Sequence, residues 1–220
     1  MKIKGVIFDF DGTLMDSIPI CLKAFRHTFY KYLGQELSEE EILATFGPTE
    51  EGIFRKMIPD RWKEALNYYL QQYDKAHLDY IKPFSGISLG LEELKEEGVQ
   101  LAIVSGKGPE SMKISLKYTG LDKYFSPIMT GPSRGTNKPE AIRQVLEKWQ
   151  AWPRSIIYVG DSPSDIIAAR KAGVIPVAAA WSDTSKPCQF TGLKPAGIFA
   201  HPEDFFAWLK YKCRIIVERE

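Results

Sequence analysis

The 220-residue sequence predicts an α/β fold, a doubly wound parallel sheet with a helical segment inserted after its first strand. Short apolar runs alternate with amphipathic stretches over most of the chain. The runs are apolar throughout rather than at every second residue, which is typical of parallel strands covered on both faces. Between residues 15 and 82, by contrast, every stretch has helical spacing and none resembles a strand. We therefore expect a core domain from residues 1–14 and 83–220, and a helical cap domain from residues 15–82.

The individual elements are predicted from the spacing of apolar residues and from the residues that begin or end each run. Strands are expected at 6–8, 99–104, 126–130, 155–159 and 174–179. Core helices are expected at 88–97, 109–119, 139–148, 166–172 and 202–212, and the first, second and fourth of these are followed by glycine. In the inserted segment we expect helices from residue 18 after a cap at Asp16-Ser17, from the capping box of Ser38 and Glu41, at 53–58 and at 61–80. Residues 47–52 read as a loop, and residues 214–220 as either an added edge strand or a disordered tail.

The composition argues against several classes of protein. Hydrophobic residues at 44% and charged residues at 26% are typical of a soluble globular chain. A net charge of +1 gives no electrostatic reason to bind nucleic acid or an anionic membrane. No apolar run approaches the roughly 20 residues of a membrane span, and the first residues enter a strand without room for a signal peptide. Three cysteines without metal-binding spacing indicate free thiols. We expect a cytoplasmic monomer or homodimer that binds no nucleic acid and no membrane.

Polar clusters follow three of the predicted strands and precede one helix. They are Asp9 with Asp11, Ser105-Gly106-Lys107, Asp161 with Asp165, and Lys138 at the start of its helix. Because the carboxyl ends of parallel strands meet at one edge of a sheet, we expect these side chains to lie together. Carboxylates suit Mg²⁺ shared with a substrate phosphate, while an ammonium group and backbone amides suit phosphate oxygens. The clusters therefore predict phosphoryl transfer assisted by a metal ion.

The same clusters resemble the four motifs of the haloacid dehalogenase superfamily. Residues 9–14 (DFDGTL) resemble the first motif, D-x-D-G-T-L. Ser105 at a strand end is similar to the second motif and Lys138-Pro139 to the third, while residues 160–165 (GDSPSD) resemble the fourth. The inserted helices are similar to the C1 cap of phosphoglycolate phosphatase-like members. The resemblance implies a Rossmann-like core and a Mg²⁺-dependent phosphatase that acts on a small phosphorylated metabolite.

The resemblance also assigns roles to the carboxylates by matched position. Asp9 would be the nucleophile that forms an aspartyl-phosphate, and Asp11 would be the general acid and then the general base. The metal would be held by the carboxylates of Asp9 and Asp161 and by the backbone carbonyl of Asp11. Asp165 would be a ligand through water, or would orient the other groups and Lys138.

Four further residues would bind the phosphoryl group or the rest of the substrate. Ser105 and the amide of Gly106 would bind the transferred group, and Lys138 would neutralise charge on it and on Asp9. Lys107 either joins this phosphate site or is a surface lysine. In related caps a specificity loop lies where residues 47–52 are, so Thr49 and Glu50 either contact the substrate or form a turn between two helices.

Two other functions stay open. A phosphomutase of the β-phosphoglucomutase type shares the four motifs and the cap, although the cap has no arginine motif for reading a sugar phosphate. A catalytically silent binding protein of the same fold is the alternative from outside enzymes. It is disfavoured because Asp9, Asp11 and Asp161 are all present. A haloacid dehalogenase proper is disfavoured, because those enzymes lack an aspartate at the position of Asp11. A phosphonatase would need a cap lysine that forms a Schiff base with its substrate.

Overall fold

The computed structural model describes residues 2–79, 82–132 and 137–217, in which strands and helices alternate after a helical insertion. The strands are β1 (Gly5–Phe8), β2 (Gln100–Val104), β3 (Ile128–Met129), β4 (Ile156–Gly160), β5 (Ile175–Ala179) and β6 (Ile198–Phe199). The helices are α1 (Ile18–Leu33), α2 (Glu39–Leu43), α3 (Glu50–Met57), α4 (Trp62–Asp79), α5 (Ile87–Glu96), α6 (Pro109–Thr119), α7 (Lys138–Trp149), α8 (Pro163–Ala172) and α9 (Pro202–Val217). No helix among the described residues has the length and apolar character needed to cross a membrane.

The six strands form one parallel sheet in the order β3-β2-β1-β4-β5-β6. Strand β1 lies at its centre, with Phe8 paired to Ile103 of β2 and Val159 of β4. The predicted doubly wound parallel sheet is therefore confirmed. The register also places the polar residues: Asp9 lies one position beyond this row, and Ser105 and Asp161 each lie two positions beyond it.

Alternate residues of the central strands are buried on opposite faces of the sheet, as the pleat of a strand requires. Val6 and Phe8 belong to the hydrophobic cluster that includes side chains of α5 and α9. Ile7 points to the other face, into the cluster that includes side chains of α7 and α8. All three side chains are fully buried. This explains why the strands are apolar at every position rather than at every second one.

Helices α1–α4 follow β1, and we call residues 15–82 the cap. They have a hydrophobic cluster of their own, rich in aromatic side chains. Phe25 is at its centre, with ring centroids 4.5 Å from Tyr69, 5.4 Å from Phe54 and 5.7 Å from Phe29. The cap therefore has a core separate from the two clusters that cover the sheet.

Several predicted elements differ from the observed ones. Residues 50–52 are not a loop, because Thr49 accepts a hydrogen bond from the amide of Gly52 (3.3 Å) and so begins α3. The segment 214–217 is neither a strand nor a disordered tail but the last turn of α9, which runs beyond the expected end at 212. Strand β6 was not predicted, since two residues are too short to show a pattern. Residue 80 of the predicted 61–80 helix and residues 218–220 lie outside the described residues.

Candidate active site

A cavity of about 250 Å³ lies between the carboxyl edge of the sheet and the cap. From the core it is lined by Asp9, Asp11, Ser105, Gly106, Lys107, Lys138, Asp161, Ser162 and Ser164. From the cap it is lined by Ile18, Cys21, Phe25, Phe46, Gly47, Pro48, Glu50, Ile53 and Tyr69. The structure thus brings together residues from all four sequence motifs. Two of the predicted site residues, Asp165 and Thr49, are buried and do not line the cavity.

Lys138 joins two of the predicted carboxylates. Its Nζ atom lies 2.6 Å from Oδ2 of Asp9 and 2.6 Å from Oδ1 of Asp165. Burial raises the pKa of Asp9 to about 6, opposed by the charge of Lys138 and reinforced by that of Asp165. Burial alone would lower the pKa of Lys138, but Asp165 and Asp9 raise it well above its ordinary value. Lys138 is therefore a permanent cation beside the candidate nucleophile.

Asp165 is fully buried, and both of its oxygens accept hydrogen bonds. Oδ1 accepts from Lys138 and from the hydroxyl of Tyr158 (3.2 Å), and Oδ2 accepts from the amide and hydroxyl of Ser162 (3.0 and 2.6 Å). Ser162 in turn caps α8 by accepting from the amide of Asp165, so the two residues form a capping box. Of the two roles considered for Asp165, this bonding matches the orienting one, because it fixes Asp165 and through it Lys138.

Asp161 is held from the turn after β1. The Thr13 hydroxyl donates to its Oδ1 (3.2 Å), and Gly12 adopts a φ of +77° against it. A side chain at position 12 would collide with the Asp161 carboxylate, so the site needs glycine there. The pKa of Asp161 is raised well above its ordinary value by burial and then by the charges of Asp165 and Asp9. No lysine or arginine among the described residues forms an ion pair with Asp161.

Asp9 and Asp165, which are buried, and Asp161, which is half-buried, fit a divalent cation. One oxygen each from Asp9, Asp161 and Asp165 lie within 4.8 Å of one another. Hard oxygen ligands carrying more than one negative charge are the donor set that Mg²⁺ takes in phosphoryl-transfer sites. Since the oxygens of Asp165 already accept four hydrogen bonds, Asp9 and Asp161 are the better direct ligands.

Asp11 forms a second ion pair, with Lys107. The lysine Nζ atom lies 3.0 and 3.2 Å from the two oxygens of Asp11, and the hydroxyl of Ser17 donates to Oδ1 (2.5 Å). The Lys107 side chain is only 1% exposed and packs over the ring of Tyr73, 4.4 Å from its centroid. It is therefore part of the site and not a surface lysine. Ser17 also departs from its prediction, because its hydroxyl binds Asp11 instead of capping α1.

Ser105 and Gly106 follow β2 on the cavity wall. The amide of Ser105 donates to the carbonyl of Met129 (3.0 Å), which continues the β2–β3 pairing past the strand end. Its hydroxyl is nearly buried and accepts a hydrogen bond from the amide of Lys107 (3.3 Å). These contacts hold the turn 105–107 open towards the cavity.

Glu50 connects the cap to the core. Its Oε2 accepts from the amide of Gly108 (2.8 Å), and its Oε1 accepts from the hydroxyl of Ser111 (2.5 Å). A side chain at Gly108 would collide with this carboxylate. Glu50 lines the cavity with both oxygens engaged, whereas Thr49 is 2% exposed and caps α3.

Four supporting residues were missed by the sequence analysis: Thr13, Ser17, Tyr158 and Tyr69. Tyr158 lies within an apolar strand and Tyr69 within an amphipathic helix, so both read as core residues. Thr13 and Ser17 lie within eight residues of Asp9, and their hydroxyl groups were the available signal.

Comparison with known proteins decides the family. Residues 6–179 match the family model described as haloacid dehalogenase-like hydrolase. The chain belongs to this family. This hydrolase is 36% identical over 184 residues to the putative pyrophosphatase PpaX of Caldanaerobacter subterraneus subsp. tengcongensis, covering 83% of the chain and 84% of the relative. It is 35% identical over 173 residues to the putative pyrophosphatase PpaX of Clostridium perfringens, covering 78% and 81%.

Solved structures of the haloacid dehalogenase-like family share the fold. The hydrolase resembles a haloacid dehalogenase-like family protein of Streptococcus pneumoniae with a TM-score of 0.76 and 27% identity, over 94% of this chain and 98% of the other. It resembles a predicted phosphoglycolate phosphatase of Haemophilus somnus with a TM-score of 0.79 over 100% and 99% of the chains, in fold alone at 22% identity. The predicted family, fold and enzyme class, a hydrolase of the phosphatase type, are confirmed.

Proposed function

We propose that this haloacid dehalogenase-like hydrolase is a Mg²⁺-dependent phosphatase of a small phosphorylated metabolite, acting through an aspartyl-phosphate on Asp9. The observation that carries the proposal is the convergence of Asp9, Asp11, Asp161 and Lys138 on one cavity. The first two supply a nucleophile and a proton donor, and the others supply a metal ligand and a fixed cation. Bound Mg²⁺, held by Asp9 and Asp161 and by the backbone carbonyl of Asp11, would neutralise negative charge on the transferred group.

In the first step a carboxylate oxygen of Asp9 attacks phosphorus, and the bond from phosphorus to the ester oxygen breaks. The carboxyl proton of Asp11 passes to the leaving oxygen, so the product alcohol departs neutral. In the second step the Asp11 carboxylate takes a proton from water, whose oxygen attacks phosphorus. The bond to Asp9 breaks and inorganic phosphate is released.

The remaining residues position these groups. Lys138 keeps the Asp9 carboxylate in place and stabilises negative charge on the transferred group. Ser105 and the amide of Gly106 bind its oxygens. Lys107 and Ser17 hold the Asp11 carboxylate by three hydrogen bonds, an arrangement that suits its role as the base of the second step. The cap covers the site and excludes water during the first step.

The test is Asp9→Asn, assayed for phosphate release from p-nitrophenyl phosphate with Mg²⁺ and with EDTA. We expect the wild type to be active with Mg²⁺ and inactive with EDTA. The variant should lose at least about 10³-fold in turnover, since its amide cannot form the covalent intermediate. Asp16→Asn, at an exposed position in the same turn, is the matched control and should stay active. Near-normal turnover by Asp9→Asn would refute the assignment.

Inorganic pyrophosphate is a second candidate substrate, favoured by the similarity to the PpaX relatives, which are named as putative pyrophosphatases. The chemistry at Asp9 would be the same, with phosphate as the leaving group in place of an alcohol. Comparing kcat/KM for pyrophosphate with that for small phosphate monoesters separates the two.

A further inference from the structure

The cap side of the cavity has an apolar wall with one unexplained hydroxyl. Ile18, Phe25, Phe46 and Ile53 contribute apolar surface, and Tyr69 lies among them. Tyr69 is fully buried, yet its hydroxyl has no hydrogen-bond partner among the described residues. Buried polar side-chain atoms in native proteins are nearly always paired, because an unpaired one destabilises the fold. Because Tyr69 lines the reaction cavity, a substrate atom is a candidate partner for this hydroxyl.

The ring of Tyr69 is rigidly held. It packs against Phe25 (4.5 Å between centroids) and Phe54 (5.6 Å), and it stacks on Tyr73 at 5.6 Å with planes 11° apart. Tyr73 lies one turn along the same helix, and its own hydroxyl is paired with Ser115 at 3.0 Å. A ligand that bonds the Tyr69 hydroxyl would therefore immobilise no side chain, which favours tight and selective recognition.

The charges around the cavity indicate what Tyr69 recognises. Lys107 and Lys138 are the cations on its described wall, and both lie on the core side in ion pairs with carboxylates. The cap contributes Glu50, whose two oxygens are already bonded to the core. An anionic leaving group would thus lose its hydration against apolar side chains without gaining a cation on the described cap wall. A neutral oxygen atom, by contrast, needs only one hydrogen-bond partner there.

We propose that Tyr69 is a specificity residue whose hydroxyl hydrogen-bonds an oxygen of the leaving group. That group is a compact, uncharged alcohol with a second hydroxyl or carbonyl oxygen, and its carbon skeleton lies against the apolar cap wall. The inference rests on the proposed phosphatase function and names its substrate class. The phosphoryl group and the alcohol share the one cavity between the sheet edge and the cap, so the proposal is for a small alcohol.

The test compares three esters that differ by one hydroxyl: n-propyl phosphate and its 2-hydroxy and 3-hydroxy derivatives. For the wild type, we expect one of the two hydroxylated esters to have a kcat/KM about tenfold higher than that of propyl phosphate. A hydrogen bond worth about 1.4 kcal/mol gives this factor. Tyr69→Phe should abolish this preference, because the variant's kcat/KM for the hydroxylated ester should fall to its own value for propyl phosphate. Tyr68→Phe, on the same helix outside the cavity lining, should keep it.

Each other outcome is decisive. Equal preference in the wild type and in Tyr69→Phe overturns the role of Tyr69. A higher kcat/KM for pyrophosphate than for every ester overturns the uncharged leaving group. Hydrolysis of no ester by the wild type with Mg²⁺ overturns the underlying phosphatase function instead. Since the hydroxyl is unpaired, Tyr69→Phe should melt at the wild-type temperature or above, and a fall of several degrees would show a structural partner and overturn the proposal.

Discussion

At the scale of single residues, the site is a balance of buried charges around Asp9. Burial raises the pKa of this carboxyl group to about 6, and the ammonium of Lys138, 2.6 Å away, holds it from rising further. Asp165 on the other side of Lys138 accepts from the same nitrogen. Among the described residues, Lys138 is the side chain that forms an ion pair with both carboxylates, so its charge governs how readily Asp9 ionises.

We predict a pH dependence that follows this balance. Asp9 must be ionised to attack phosphorus, so kcat/KM should fall as pH drops through the pKa of Asp9, which bound Mg²⁺ places below about 6. Lys138→Met removes a cation that lowers this pKa, so the acidic limb should move to higher pH by about one unit or more. Lys148→Met, exposed near the end of the same helix, is the control. The measurement is the pH profile of each variant at saturating Mg²⁺, and an unmoved limb in Lys138→Met would contradict the prediction.

The sequence predicted the charged residues of this site but not the neutral ones that hold them. Asp9, Asp161 and Lys138 stand out because charged residues beside apolar runs need a partner. Tyr158 and Tyr69 do not stand out, because a tyrosine in a strand or on an apolar helix face reads as core. Only the fold shows that one hydroxyl bonds Asp165 and the other has no partner.

At the scale of elements, the contact between α4 of the cap and α6 of the core is polar at its centre. His77 donates from Nδ1 to the carbonyl of Tyr73 (2.7 Å), so its Nε2 accepts from the hydroxyl of Ser115 (3.1 Å). The hydroxyl of Tyr73 then donates to Ser115 (3.0 Å). Burial lowers the pKa of His77, which keeps the ring neutral and suited to this arrangement. Among the described residues, Ser115 is the hydrogen-bond partner of both the Tyr73 hydroxyl and the Nε2 of His77.

Ser115→Ala should therefore destabilise the protein more than the loss of one hydroxyl suggests. It leaves the Tyr73 hydroxyl and the Nε2 of His77 buried without a partner, at roughly 1–3 kcal/mol for each group. For a chain of this size we expect a melting temperature lower by about 5–10 °C. Ser88→Ala, exposed in the first turn of α5, should change it by less than about 2 °C. A melting temperature equal to the wild type would mean that the network does not stabilise the α4–α6 contact.

The elements themselves were largely predictable because their signals are local. Apolar runs gave five of the six described strands, and Gly120 and Gly173 marked helix ends that the structure places at these residues. The errors fell where the signal is short or ambiguous. Two residues of β6 carry no period, and the stretch 214–217 is apolar enough to suit a strand or a helix.

At the scale of the whole molecule, the cap and the sheet have separate hydrophobic clusters, which are joined by several polar contacts and by Ile114 of α6, which packs against the cap cluster. Glu50 bonds the start of α6, Ser115 bonds α4, and Lys107 reaches from the core to the ring of Tyr73. Interfaces of this polar kind separate more readily than hydrophobic ones. The arrangement suits a cap that opens to exchange substrate and closes for the reaction. The sequence did not predict these contacts, because their donors and acceptors lie far apart in the chain.

The stability of the whole molecule should also depend on Mg²⁺. Asp9, Asp161 and Asp165 crowd three carboxylates around Lys138, and burial with the two neighbouring charges raises the pKa of Asp161. A cation that binds only the folded state stabilises it, by about 2.7 kcal/mol at 100 times its Kd, or roughly 5–10 °C in melting temperature. Asp161→Asn removes both the repulsion and a ligand, so we expect it to melt higher than the wild type in EDTA and to respond little to Mg²⁺. Asp60→Asn, exposed on the cap, should behave like the wild type in both conditions. Thermal melts with EDTA and with Mg²⁺ measure this directly, and an equal Mg²⁺ response in Asp161→Asn would place the cation elsewhere.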